Sequence, residues 1–193
     1  MKLAVMVTEN LERAFATARG VIANIKSDQL DDPTPCQSWS VRDVCNHLIG
    51  GSYYFAESVD IGEAHPSDDD FTEGDMVARY DEGIALAVAA FNAPGAQERT
   101  VTLPFGDMPV PAWMGIATTD AFTHAWDLAQ ATGQDTNLDP ELAAQLLEGA
   151  KMFIQPAFRG ADTERPFGAE QSPPAGACNA AQLAAFLGRR VSG

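Results

Sequence analysis

The chain has 193 residues, a formal net charge of −15 at pH 7 and 46% hydrophobic residues. This length fits one domain over residues 1–193 with a sizeable core. The scattered Lys and Arg residues argue against a nucleic-acid partner, because phosphate binding depends on clustered cations. No apolar run is long enough to span a bilayer and the N-terminus lacks a signal-peptide pattern, which predicts a soluble cytoplasmic protein without a membrane partner.

Hydrophobic periodicity predicts four long helices. Apolar residues recur at spacings of three and four over residues 1–25, 41–59, 72–91 and 113–131. Ser40 is the expected N-cap of the second helix, with Asp43 in the capping-box position. Arg99 through Pro111 alternates apolar and polar residues around a Gly-Asp turn, so we expect a short extended excursion or hairpin before the fourth helix.

Two smaller helices are expected after the fourth. Asp139-Pro140-Glu141 is a favourable helix N-terminus, with proline at the first helical position and an acid in the first turn. A last short helix is expected to begin at Asn179 and stop at Gly188. These elements predict an all-α fold, a four-helix bundle with a short extended excursion and additional C-terminal helices. The pattern is also compatible with a homodimer formed through an exposed helix face.

Two polar residues interrupt the apolar face of the fourth helix. Ile116, Asp120, His124 and Leu128 form one i, i+4 row, so a carboxylate and an imidazole are expected to point inward. Burial of either group without a partner costs on the order of several kcal/mol, so each must be satisfied by the other, by water or by a cation. Side chains four apart on a helix have Cβ atoms about 5–6 Å apart and can hold one ion together.

A histidine of the second helix completes a candidate metal site. His47, one of three histidines, lies on the flank of that helix's inward face. Together, His47, Asp120 and His124 offer two imidazoles and one carboxylate and leave coordination positions open, which is typical of catalytic rather than structural sites. We expect zinc there, and nickel and iron suit the same donors. The alternative is an Asp120–His124 ion pair with no metal. His65, in a polar loop, is expected to be exposed.

The three cysteines have no paired spacing and are expected to stay reduced. Cys45 is two residues from His47, so it points to the other side of the helix and is expected to pack in the core. Cys36 precedes the second helix near a mouth of the bundle, where a packed or partly exposed thiol is expected rather than a catalytic one. Asp127 is expected to point away from the His124 row and to fix a loop or a helix end.

Two stretches of the chain resemble a known family. The first stretch is similar to the first signature of the actinobacterial mycothiol-dependent maleylpyruvate isomerase-like group in the DinB/YfiT-like superfamily. It consists of Thr34-Pro35-Cys36, Trp39 through Asp43 and Asn46 through Gly51. Asp120 through Gly133 is similar to the second signature of that group. The closing Ala185 through Arg189 resembles the ends of the single-domain members.

The resemblance implies a DinB-like four-helix bundle that holds a divalent metal through His47, Asp120 and His124, with Asp120 standing where the isomerase proper has glutamate. It further implies mycothiol, a low-molecular-weight thiol, as cofactor and an electrophilic small molecule as substrate. The implied function is that of a metal- and thiol-dependent transferase or isomerase, with no residue assigned as general acid. The alternative is a non-enzymatic metal-binding or small-ligand-binding protein of this type, associated with stress.

Overall fold

The computed structural model describes residues 2–62, 67–161 and 164–191. These contain six α-helices and one two-stranded hairpin, in the order α1 (Lys2–Ile22), α2 (Val41–Ile61), α3 (Met76–Asn92), β1 (Thr100–Leu103), β2 (Gly106–Pro109), α4 (Val110–Ala131), α5 (Pro140–Phe153) and α6 (Asn179–Phe186). The predicted all-α fold with a short extended excursion and additional C-terminal helices is confirmed. No helix of the described residues is long and apolar enough to cross a membrane.

Side-chain caps set most helix starts. Ser40 and Asp43 form the predicted capping box at the start of α2, and the Asp139 carboxylate accepts a hydrogen bond from the backbone of α5. The third helix begins later than predicted, because Asp75 caps it by accepting a hydrogen bond from the backbone N–H of Ala78. The start of α6 has no side-chain cap, since its N-cap position is taken by Cys178.

Helix α4 is the central element of the bundle. It packs against α1 and α2, α3 packs against both of these helices, and α6 contacts α4. Every residue from 121 to 129 is buried, so this stretch is enclosed on all sides. The prediction that Ile116 faces the core was wrong, because this residue is 41% exposed. Four residues turn a helix by about 400°, so the predicted row drifts by about 40° at each step and leaves the core at this end.

The packing of α2 on α3 depends on a glycine. A Cβ atom added at Gly83 would clash with Ser52 Oγ and lie 3.0 Å from Ser52 Cβ and 3.2 Å from Tyr53 Cε2. Ser52 cannot easily yield, because it is buried and its hydroxyl donates a 2.6 Å hydrogen bond to the carbonyl of Ile49.

Alanine at Gly83 is therefore expected to lower the free energy of unfolding by about 1–3 kcal/mol, the usual cost of overpacking. Gly149 of α5 is the matched control, since nothing lies within 4 Å of an added Cβ there. Alanine at Gly149 is expected to raise the free energy of unfolding by about 1 kcal/mol through helix propensity. Urea denaturation of both variants measures whether the two changes in the free energy of unfolding have opposite signs. Equal changes would contradict the close approach of α2 and α3.

The chain turns back toward α4 after α6. Gly188 has a left-handed φ of 99°, its N–H donates to the carbonyl of Ala185, and the N–H of Arg189 donates to that of Ala184. These two hydrogen bonds form a Schellman motif, which ends the helix and redirects the backbone. Gly188 also crosses the backbone of Gly168, which an added Cβ would approach to 2.5 Å. The motif directs the Arg189 side chain to Asp127, near the C-terminal end of α4.

Candidate metal centre

The structure brings the three predicted ligands together at the contact between α2 and α4. His47 Nε2 lies 3.1 Å from both carboxylate oxygens of Asp120, and His124 Nε2 lies 3.6 Å from Asp120 Oδ1. One potential ligand atom from each residue lies within 4.8 Å of the others. We call these three residues the His–Asp–His cluster. Asp120 and His124 meet because they are one turn apart on α4, and His47 meets them across the bundle.

The donor set of the cluster fits a divalent ion. A tetrahedral zinc site with ligand bonds of about 2.0–2.1 Å places its ligand atoms about 3.3 Å apart. The separations of 3.1 and 3.6 Å in the cluster bracket that value. Nitrogen and carboxylate oxygen are donors that zinc, nickel and iron accept. A direct His47–Asp120 ion pair fits the 3.1 Å separation as well, so metal binding stays a prediction.

The cluster is open on one side. The side chains of His47 and Asp120 are 35% and 26% exposed, whereas that of His124 is 9% exposed. Trp39, which is half-buried, covers the two imidazoles, with its ring centroid 4.7 Å from that of His47 and 5.3 Å from that of His124. The cluster therefore combines an apolar wall with access for a small molecule.

Mutual attraction shifts the pKa values of His47 and Asp120 in opposite directions. Burial lowers the pKa of His47, but the charge and hydrogen bond of Asp120 outweigh it, so the pKa rises above its ordinary 6.5. Burial raises the pKa of Asp120, but His47, His124 and Arg189 lower it to about 2, from an ordinary 3.8. In the metal-free protein this pair is therefore an ion pair at moderately acidic pH.

These shifts predict how the stability of the metal-free protein depends on pH. The Asp120 contribution is present above pH 3.8 and is lost as pH falls through about 2, whereas the His47 contribution is present below pH 6.5 and is lost as pH rises through the raised pKa. The stability difference between the native chain and its Asp120→Asn variant is therefore expected to shrink as pH rises.

Calorimetry with chelator present, from about pH 5 to about pH 9, checks this. A difference that stays constant across that range would contradict the ion pair. Zinc affinity is expected to change in the opposite sense, rising with pH, because metal binding needs neutral imidazoles.

The expectation that Asp127 points away from the His124 row was wrong, whereas the expectation that it fixes a loop agrees with its ion pair to Arg189, in the turn after α6. The Asp127 side chain is fully buried, and its Oδ2 accepts a 3.0 Å hydrogen bond from His124 Nδ1. Arg189 Nη2 donates to the same oxygen at 3.0 Å, and Arg189 Nε lies 3.3 Å from Oδ1. Burial alone raises the pKa of Asp127, but the Arg189 charge and the His124 hydrogen bond outweigh it and lower the pKa. Asp127 contacts a predicted metal ligand because i and i+3 residues share a helix face.

The cysteines fall into two environments. Cys45 is fully buried, as predicted, and burial raises its pKa to about 12, which makes it unreactive. Cys36 is partly exposed, as predicted, but its Sγ lies within 4.8 Å of a ring nitrogen of His124 and a carboxylate oxygen of Asp127. Sequence reasoning missed this proximity, because no spacing links a loop residue to a helix so distant in the chain. His65 lies outside the described residues.

Comparison with known proteins places the chain in a family. The sequence model of one family, described as the mycothiol maleylpyruvate isomerase N-terminal domain, matches residues 11–129. This segment includes the whole His–Asp–His cluster. The chain belongs to this family. Two relatives of this chain, from Mycobacterium tuberculosis strains CDC 1551 / Oshkosh and ATCC 25618 / H37Rv, are each named an uncharacterized protein. Both are 41% identical over 186 residues, which cover 96% of this chain and 97% of theirs. No solved structure matches.

The family match covers α1 from Leu11 onward, α2, α3, the hairpin and most of α4. The resemblance found from the two motifs is therefore confirmed. Arg189 lies outside the matched segment, although it reaches the same part of the structure.

Proposed function

We propose that this protein binds a divalent metal and uses a low-molecular-weight thiol, mycothiol, as a transferase or isomerase acting on a small electrophile. The observation that carries the proposal is the convergence of His47, Asp120 and His124 in a chain of the mycothiol maleylpyruvate isomerase N-terminal domain family. Zinc is the proposed ion, with nickel and iron as alternatives of the same donor preference.

Each residue of the cluster has a proposed role. His47, Asp120 and His124 hold the metal, and the exposed flank at His47 and Asp120 admits the thiol. A divalent metal bound there supplies Lewis acidity that lowers the pKa of a thiol, the form of activation that thiol transfer needs. Trp39 shields the imidazoles from water on one side, which strengthens electrostatic interactions at the centre.

A cavity near Asp127 offers space for a small molecule, and none of the three cluster residues lines it. It has a volume of about 180 Å³, and its lining includes Cys36, Arg189 and the glycines 168 and 188. Cys36 and Arg189 also approach Asp127, so the cavity adjoins the support of His124.

Thiol-dependent turnover by the zinc-loaded protein tests the proposal. Consumption of an electrophile such as maleylpyruvate or an epoxide is measured with mycothiol, without thiol, and with the metal removed by chelator. We expect consumption only when both metal and thiol are present. Absence of bound metal after reconstitution would overturn the metal half of the proposal, and metal binding without thiol-dependent consumption would favour a non-enzymatic binding protein.

A further inference from the structure

We propose that Arg189 is a positioning residue for the metal centre, which acts through Asp127 on His124 and so couples metal binding to docking of the C-terminal segment, residues 179–191. This inference rests on the proposed metal binding by the His–Asp–His cluster. It concerns residues outside the segment that the family description matches.

The first step is the orientation of the His124 ring. A carboxylate accepts hydrogen bonds and does not donate them, so the 3.0 Å contact between His124 Nδ1 and Asp127 Oδ2 requires the proton on Nδ1. The lone pair of the neutral ring then lies on Nε2, which is the nitrogen that faces Asp120. Asp127 therefore selects the tautomer that binds a metal and holds the ring in place.

The second step is the stability of the Asp127 charge. The side chain of Asp127 has no exposed surface, and burial of a carboxylate without a partner carries a large desolvation cost. Arg189 is such a partner, with a guanidinium fork on the carboxylate, and is itself only 11% exposed. Asp127 can then serve as a full acceptor for His124 Nδ1 and hold the ring in its ligating orientation.

The third step is the connection to the C-terminal segment. The Schellman motif at Gly188 fixes the direction of Arg189, so the ion pair with Asp127 forms only when α6 and its following turn are docked. Docking favours the binding-competent His124, and metal binding by His124 must favour docking by the same factor, because coupling between two equilibria is reciprocal.

Metal affinity in matched arginine variants tests this inference. Arg189→Gln is compared with Arg190→Gln, which removes the same charge from the next residue. Arg190 is exposed and forms no ion pair with any described residue. Zinc affinity is measured by competition with a chelating dye, and the ligand geometry is followed by the visible absorption of bound cobalt. We expect Arg189→Gln to weaken binding about 10- to 100-fold and to alter the cobalt spectrum, with no change in Arg190→Gln.

Arg189→Lys separates positioning from charge alone. Lysine keeps the charge but lacks the guanidinium fork, so it is expected to restore part of the affinity. Hydrogen exchange of the native protein supplies a measurement that needs no variant. Zinc is expected to slow amide exchange across residues 183–189, and Arg189→Gln is expected to remove that protection.

The outcomes distinguish this inference from the proposed function. Failure of the native protein to bind zinc or cobalt would overturn both. Native binding with equal affinities and cobalt spectra in Arg189→Gln and Arg190→Gln would overturn the positioning role alone. If Arg189→Gln does not fold, the exchange experiment decides, because unchanged exchange at residues 183–189 on zinc addition overturns the coupling.

Discussion

Replacement of His47, Asp120 and His124 together by alanine is expected to abolish metal-induced stabilisation. A ligand at about 1,000 times its dissociation constant stabilises the native state by about 4 kcal/mol. In a chain of 193 residues this corresponds to a rise of roughly 8–16 °C in Tm. Zinc is expected to produce a rise of this order in the native protein and none in the triple variant. Differential scanning calorimetry with and without zinc measures both.

The control for this experiment is Asp60→Ala. Asp60 is exposed near the end of α2 and lies about 20 Å along the helix from His47, so the variant removes a carboxylate without touching the cluster. It is expected to keep the full zinc response. Because each variant is compared with its own metal-free form, changes in basal stability do not affect the result. An equal zinc response in the triple variant would show that the ion binds elsewhere.

Asp127→Asn is expected to lower the free energy of unfolding of the metal-free protein by about 3–5 kcal/mol. The substitution leaves the guanidinium of Arg189 buried beside an uncharged amide, and breaking a buried ion pair has this cost. It also weakens the acceptor for His124 Nδ1. Urea denaturation followed by circular dichroism, with chelator present, measures the change.

Asp81→Asn is the matched control, because Arg19 and Asp81 form the same kind of arginine–carboxylate pair at the surface. Their side chains are 45% and 42% exposed, so loss of this pair is expected to cost at most about 1 kcal/mol. Replacing Asp127 and Arg189 together with apolar residues is expected to recover part of the loss, since no unpaired charge then remains. Equal costs for Asp127→Asn and Asp81→Asn would contradict the buried ion pair.

Local periodicity was enough to predict the helices and two of the three candidate ligands as a pair. Asp120 and His124 are related by helix geometry alone, so their common face follows from their spacing. The same helix geometry applies to Asp127, but its side chain was wrongly expected to point away from His124. Residues three apart on a helix lie on the same face, so Asp127 lies beside His124. The error came from treating the i, i+4 row as the whole inward face. On α4 the enclosed stretch is buried on every side.

Helix ends were less predictable than helix interiors. The apolar pattern extended α1 beyond Ile22 and began α3 before Asp75, because periodicity does not register which side chain caps the backbone. The last helix was placed correctly at Asn179, although its N-terminus has no side-chain cap. Gln182 instead donates a 2.8 Å hydrogen bond to the carbonyl of Ala177.

The sequence by itself determined the helical bundle, the family and the pairing of Asp120 with His124, since each of these depends on local spacing or on contiguous motifs. The tertiary structure decided what surrounds that pair. His47 approaches Asp120 across 73 residues of sequence, and Arg189 approaches Asp127 across 62. The sequence predicted that His47 joins the pair, but its distance from Asp120 depends on how the helices pack. No pattern predicted the contact of Arg189, which requires the chain to turn back at Gly188. The candidate ligands can thus be predicted from the sequence, whereas the role proposed for Arg189 in positioning His124 follows only from the tertiary structure.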